Sequence, residues 1–173
     1  MKISILSLAA LLAFCVSSQA ADATAKISGV HLCCKSCVKG VEKAMEAVPG
    51  AKAEADQDEG TVTLSGPDSA TVQKAAAALV KAGYFGKSSD PSVKLDASTG
   101  AKGAKVQTLR VEGVHLCCGK CVQAVDKAVK SVDGAKEHTA TKGAKSFEVT
   151  GDFNDQDVFK ALHKEGLTGK VAN

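Results

Sequence analysis

The sequence predicts an α+β fold made of two copies of one unit, and three observations support that prediction. A ten-residue stretch that begins at Gly29 returns 84 residues later at Gly113. The segments Gly29–Lys52 and Gly113–Lys136 share fifteen of twenty-four residues. Each copy is also followed by the same succession of strand and helix patterns. A chain of this length therefore divides into two small domains in tandem.

Each unit begins with an alternating strand that leads into a helix. In the first unit the strand runs towards Val30, and in the second Leu109 and Val111 alternate with polar neighbours. The helix is predicted to begin at the last cysteine of the motif, with one apolar stripe at helical spacing. The stripe consists of Val38, Val41, Met45 and Val48 in the first unit and of Val122, Val125, Val129 and Val132 in the second. Pro49-Gly50 and Asp133-Gly134 end the two helices.

A hairpin, a second helix and a short last strand complete each unit. The hairpin turns at Asp58-Glu59-Gly60 and at Lys142-Gly143. The second helix is expected from about Asp68 to Ala82 in the first unit and from about Asn154 to Glu165 in the second. This order predicts two ferredoxin-like βαββαβ domains, each with two helices on a four-stranded antiparallel sheet.

The sequence predicts a signal peptide over residues 1–21, a first domain over 22–89, a linker over 90–104 and a second domain over 105–173. Lys2, a short apolar run and the small residues Ser18-Gln19-Ala20 are typical of a secretory signal. The run is shorter than the about 20 residues that a membrane helix needs, and no other stretch qualifies. We therefore expect a secreted or periplasmic protein without a membrane span. Pro91 and the Ser and Gly residues after it predict a flexible linker that tethers the domains.

Composition argues against two function classes. The formal charge is only +3, and the chain has no Trp, one Tyr and no basic run, so a nucleic-acid partner is not expected. No combination of side chains indicates hydrolysis or group transfer, so we do not expect an enzyme of either kind. Removal of the signal peptide would take Cys15 away and leave six of the seven cysteines, all of them in the repeated motif.

The spacing of these cysteines indicates metal binding or redox chemistry rather than structural disulfides. Cys34 and Cys37, like Cys118 and Cys121, stand three residues apart across the start of a helix, so both sulfurs of a pair can face one ion. The amino terminus of a helix favours the thiolate form, which is the form that binds metal. Paired thiolates suit soft ions such as Cu(I), Zn(II) or Hg(II).

These residues resemble the heavy-metal-associated domain of copper chaperones, metal-transporting ATPases and a periplasmic mercury-binding protein. That family carries Gly-Met-Thr/His-Cys-x-x-Cys after its first strand, and this chain has a Cys-Cys-x-x-Cys variant of it twice. The resemblance implies that the metal ligands are Cys34, Cys37, Cys118 and Cys121. It also implies that Tyr84 lies beside the first site. Leu167 stands at the matching position of the second unit, so the two sites are expected to differ in exposure.

The motif departs from the family by a third cysteine, Cys33 or Cys117, and by His31 or His115 two residues before it. Three thiolates could form a trigonal site for Cu(I) or Hg(II), and the histidine could complete a Cys3His set of the kind that zinc accepts. Adjacent cysteines usually point apart, so a four-ligand site would demand an unusual loop. Both alternatives stay open at this point.

The leading hypothesis is a secreted or periplasmic binding protein with two cysteine-rich sites for a soft metal, Cu(I) before Zn or Hg. It would act as a chaperone, scavenger or sensor, with a metal-transporting or metal-accepting protein as its partner. A thiol–disulfide oxidoreductase that uses the Cys-x-x-Cys pairs is the alternative. A third hypothesis is an interaction domain whose cysteines form internal disulfides.

Overall fold

The computed structural model describes residues 22–172, so the predicted signal peptide and Cys15 lie outside the described part of the chain. The first unit contains β1 (Ala23–Ser28), α1 (Lys35–Met45), β2 (Lys52–Asp56), β3 (Thr61–Gly66), α2 (Ser69–Lys81) and β4 (Lys87–Ser88). The second contains β5 (Lys105–Glu112), α3 (Gly119–Lys130), β6 (Ala135–His138), β7 (Ser146–Asn154), α4 (Asp155–Lys164) and β8 (Lys170–Val171). Within residues 22–172, no helix combines the length and apolar character needed to cross a bilayer.

The two units have the same sheet topology. The strand orders are β2-β3-β1-β4 and β6-β7-β5-β8, and neighbouring strands are antiparallel throughout. In each unit the two helices contact one another and the sheet. The predicted α+β class, with two ferredoxin-like βαββαβ units in tandem, is confirmed.

The second helix of each unit has the boundaries that its capping residues predict. Asp68 caps α2 by accepting a hydrogen bond from the N–H of Thr71 at 2.6 Å. Asn154 caps α4 in the same way, by accepting from the N–H of Gln156 at 3.0 Å. These side chains satisfy N–H groups that the first turn of a helix leaves without a backbone partner.

The two units meet along their last strands. Residues 83–85 run antiparallel to residues 166–168 across the boundary, with Tyr84 opposite Leu167, and 3.0 Å hydrogen bonds link the two segments in both directions. The ring of Phe85 stacks on His163 of the second unit with centroids 3.8 Å apart. Each predicted last strand therefore has two parts. The residues before β4 and β8 pair with one another across the boundary, whereas β4 and β8 themselves extend the two sheets.

The sequence predicts a flexible linker between the domains, whereas in the structure this segment is hydrogen-bonded to both units. The segment 90–104 lies along both units: Lys94 exchanges two hydrogen bonds with Gln73 of α2, at 2.8 and 2.9 Å, and Val93 is buried. Its end is held by Asp155, whose carboxylate accepts the N–H groups of residues 102–104 at 2.8–3.0 Å. Composition predicted a free linker because the Ser and Gly residues carry no apolar pattern, whereas here the backbone of the segment is hydrogen-bonded to the side chains of Gln73 and Asp155.

Asp155→Ala should lower the free energy of unfolding by about 1–3 kcal/mol, because three N–H groups lose a charged acceptor. Asp157→Ala is the matched control, since Asp157 also lies in the first turn of α4 but forms only an exposed ion pair with Lys160. That pair should be worth about 0.5 kcal/mol. Urea unfolding of both variants checks the difference, and equal losses would contradict the role given to Asp155.

Candidate metal centre

In each unit the N-cap position of the first helix is a cysteine whose side chain makes no capping hydrogen bond. Cys34 is the N-cap of α1 in extended conformation, and its carbonyl accepts the N–H of Cys37 at 2.9 Å. Cys118 has the same position before α3 and accepts from Cys121 at 3.1 Å. Neither thiol makes a capping hydrogen bond, although Ser, Thr, Asp or Asn is preferred at such a position. The helices thus begin two residues earlier than predicted, and each holds the second thiol of its pair in its first turn.

The six motif cysteines gather between the two units as free thiols. Each third cysteine faces the Cys-x-x-Cys pair of the other unit, which defines two sets that we call cross sets. The first cross set consists of Cys34, Cys37 and Cys117, whose Sγ atoms lie 3.5–3.8 Å apart. The second consists of Cys118, Cys121 and Cys33, with Sγ–Sγ distances of 3.3–3.8 Å. The sequence predicted two separate sites, but the structure brings all six sulfurs into one cluster.

The two cross sets also touch one another. The Sγ atom of Cys33 lies 3.5 Å from that of Cys37, and the Sγ atom of Cys117 lies 3.7 Å from that of Cys121. Cys37 and Cys121 are fully buried, whereas the other four cysteines are partly exposed. The cluster therefore has a buried middle and two ends that a partner can approach.

The helix start makes Cys34 the acidic thiol of the first unit. Desolvation opposes its ionisation, but the N–H groups of Cys37 and Ser36 and the Cys117 thiol outweigh it and lower the Cys34 pKa to about 6. For the third cysteine of each unit the net effect is the opposite, and the thiol pKa is raised. Desolvation raises the pKa of the Cys33 thiol and raises that of Cys117 to about 12.

Contact between the two buried thiols shifts their pKa values in opposite directions. Cys37 faces Cys121, and this contact lowers the pKa of Cys121 while it raises the pKa of Cys37, because two adjacent buried thiols do not both ionise. The ring of His31 further lowers the pKa of Cys121. Without an ion the cluster therefore retains protons, and a metal ion that binds there must displace them.

The two motif histidines have different surroundings. His31 lies with Cys33 and Cys121 in a group whose ligand atoms are within 4.8 Å of one another. His115 instead stacks on Tyr84, with ring centroids 4.6 Å apart. Among residues 22–172, no hydrogen-bond partner lies near the buried Nε2 atom of either ring. A buried ring nitrogen without a partner is costly, and His31 is the one of the two that a bound ion could satisfy.

Tyr84 explains this difference between the units. Its hydroxyl donates to the carbonyl of Cys37 at 2.8 Å, so the fully buried ring lies beside the first pair, as the family resemblance implies. The same ring covers His115 of the second unit. At the matching position Leu167 has neither a hydroxyl nor an aromatic face, so it cannot hold His31 in this way.

Gly40 of α1 leaves the space that the tyrosine hydroxyl fills. A Cβ at this position would collide with the Tyr84 Oη atom and lie 2.9 Å from Cε1 of His115. The second unit has Ala124 and Leu167 at the matching positions. The larger side chain, Tyr84, therefore occurs in the unit with glycine on the helix, and the smaller one, Leu167, in the unit with alanine.

Gly40→Ala should lower the free energy of unfolding by about 1–3 kcal/mol through overpacking, although alanine is the better helix former. In a Tyr84→Leu background the same change should be neutral or stabilising, because the double variant recreates the second unit's pair. A double-mutant cycle by urea unfolding should therefore give a coupling energy of about 1 kcal/mol or more. Additive effects would contradict the fit between the two side chains.

Comparison with known proteins finds relatives in copper transport. The chain is 34% identical over 108 residues to copper-transporting ATPase 2 of Rhizobium meliloti (strain 1021), which covers 60% of this chain and 10% of the ATPase. The chain thus matches about a tenth of that relative's length. No family model matches the chain.

Two solved structures are similar at low identity. The N-terminal domain of PacS from Synechocystis PCC6803 aligns with 18% identity and a TM-score of 0.36, over 39% of this chain and all of that domain. The N-terminal soluble domains of Bacillus subtilis CopA align with 15% identity and a TM-score of 0.32, over 88% of this chain and 95% of that one.

Proposed function

We propose that this chain, whose two tandem units resemble heavy-metal-associated domains, binds and delivers Cu(I). The motif and the match to a copper-transporting ATPase over 60% of this chain support the proposal. The observation that carries the proposal is the contact of six free thiols between the units. The role is that of a non-enzymatic chaperone or scavenger in the periplasm or cell exterior, reached through the signal peptide over residues 1–21.

The donor set favours a soft ion. Within the described residues the groups that could hold an ion consist of thiols, joined in one case by His31, and contain no carboxylate. Thiolates select Cu(I), Zn(II) and similar ions over Mg²⁺, Ca²⁺ or Mn²⁺. A hard divalent cation would find no oxygen ligand in these groups.

The number of thiols favours Cu(I) over zinc, because six thiols provide three ligands for each of two ions but not four. Structural zinc takes four ligands in a tetrahedron, whereas Cu(I) is satisfied by two or three thiolates. Three sulfurs at about 2.3 Å from a central ion would stand about 4 Å apart. The cross sets, at 3.3–3.8 Å, need only a small outward movement to reach that spacing.

The exposure of the cluster supports delivery rather than permanent storage. Cys34 and Cys118 are partly exposed at the starts of their helices, where an incoming thiolate can replace one ligand before the others leave. The low pKa of Cys34 keeps this thiol available as thiolate near neutral pH. A metal-transporting or metal-accepting protein with its own thiol pair is the partner that this chemistry suits.

The test is a Cu(I) competition titration of the reduced mature chain, without oxygen, against a chelator of moderate strength. The proposal predicts that two ions per chain are retained, and that a chain with serine at all six motif cysteines retains none. Retention of no thiophilic ion by the unaltered chain would contradict it. Zinc in place of copper in protein purified from its native compartment would overturn the choice of metal.

One observation favours thiol–disulfide exchange as the second candidate. A thiol with a pKa of about 6 at a helix start is a good nucleophile, and other thiols lie within 3.8 Å of it. An oxidoreductase should catalyse the reduction of a model disulfide. Catalysis by protein that does not retain copper would favour this function over the first.

A further inference from the structure

We propose that each Cys-x-x-Cys pair binds its Cu(I) together with the third cysteine of the other unit, so that two three-sulfur sites both span the boundary. One ion is held by Cys34, Cys37 and Cys117, and the other by Cys118, Cys121 and Cys33. The inference rests on the proposed Cu(I) binding and adds the ligand set, in which each ion takes its three sulfurs from both units.

The sulfur distances favour this assignment over sites within one unit. Cys117 lies 3.6 Å from Cys34 and 3.5 Å from Cys37, so it contacts both thiols of the opposite pair. Cys33 likewise lies 3.3 Å from Cys118 and 3.6 Å from Cys121.

Within its own unit each third cysteine has a poorer position. Cys33 contacts the buried member of its own pair, Cys37, at 3.5 Å, and lies within 4.8 Å of the other member, Cys34. Cys117 approaches Cys121 at 3.7 Å in the same way, although Cys117, Cys118 and Cys121 do lie within 4.8 Å of one another. Each third cysteine thus contacts one thiol of its own pair but both thiols of the opposite pair.

The boundary is built to hold the motif loops in this position. Gly166 and Gly83 both have positive φ angles, of +73° and +90°, and pack directly on the backbone of the other unit's motif loop. The N–H of His31 donates to the carbonyl of Gly166 at 3.2 Å, which anchors the first loop to the second unit. The His31 ring also lies near Cys121 of the second unit, so the additional nitrogen beside the second site comes from the opposite unit as well.

Metal binding is therefore coupled to the contact between the two units. An ion bound by thiolates of both units links them, so that it stabilises the docked arrangement by the free energy with which it prefers that arrangement. Conversely, any change that separates the units removes one sulfur from each site and leaves a two-sulfur pair.

The test removes one Cys-x-x-Cys pair and determines which third cysteine is a ligand of the site at the remaining pair. In a full-length Cys34→Ser/Cys37→Ser chain, only the pair Cys118–Cys121 remains. Adding Cys33→Ser should then lower the Cu(I) affinity at least about 10-fold more than adding Cys117→Ser, measured by chelator competition. A difference below that, or one in favour of Cys117, overturns the inference.

The mirror experiment guards against a variant that does not fold. In a Cys118→Ser/Cys121→Ser chain the order must reverse, so that Cys117→Ser lowers the affinity at least about 10-fold more than Cys33→Ser. Circular dichroism and thermal unfolding verify the fold of each variant. If the unaltered chain binds no copper, the proposed function itself fails, whereas copper binding by the variants without the expected order overturns only the cross-unit ligand set.

Discussion

Gly166→Ala should separate the two units, with a loss of about 2–5 kcal/mol in the free energy of unfolding. The positive φ of +73° disfavours an L-residue by about 1–2 kcal/mol. The new Cβ would also collide with the carbonyl oxygen of Gly29 and lie 2.5 Å from the N of His31, which are rigid backbone atoms. Overpacking of this kind adds about 1–3 kcal/mol. Thermal unfolding measures the loss, and small-angle X-ray scattering measures the separation.

Gly143→Ala provides the matched control for this variant. Gly143 has a similar φ of +80°, but no atom lies within 4 Å of its Cβ position. This variant should show only the conformational cost of about 1–2 kcal/mol and keep the units docked. Equal losses in the two variants, with an unchanged scattering profile, would show that the contact at Gly166 does not hold the units together.

Cys37→Ser should lower the affinity for Cu(I) about 100-fold or more in the first site. Structural zinc sites with four ligands gain about 10–16 kcal/mol on binding, which is roughly 3 kcal/mol per ligand, and 1.4 kcal/mol corresponds to a factor of ten. Cys37 is fully buried and contacts Cys33, Cys34 and Cys117 within 3.8 Å, so its loss removes a central sulfur of the first cross set. Competition titration against a Cu(I) chelator measures the affinity of each site.

Ser36→Ala is the control for this variant, because the exposed Ser36 lies in the same turn and contributes no thiol. Its affinity should stay within about twofold of the unaltered chain. A Cys37→Ser chain that keeps both ions at the original affinity would mean that Cys37 is not a ligand.

Most of the fold follows from patterns within each unit. The capping residues Asp68 and Asn154 are local signals, and the structure has α2 and α4 where they place them. The apolar stripe also predicts α1, but this helix begins at Lys35 rather than at Cys37 and ends at Met45, before Val48. The motif spacing likewise places Cys34 and Cys37 together, since residues three apart across a helix start lie on one side.

The boundary between the units could not be predicted in the same way. Pairing of residues 83–85 with residues 166–168 joins segments distant in sequence, and neither has the length of a recognisable strand. One signal was available: the repeated glycines Gly83 and Gly166, whose positive φ and backbone contacts require a residue without a side chain. Without that boundary the extra cysteines had to be assigned to their own units, where adjacent thiols point apart.

The central claim is tested most directly by X-ray absorption at the copper edge of the full mature chain loaded with two equivalents of Cu(I). Two three-sulfur sites built across the units predict three sulfur neighbours per copper, at about 2.3 Å. Two sulfur neighbours per copper would contradict the account and leave two independent Cys-x-x-Cys sites, one in each unit.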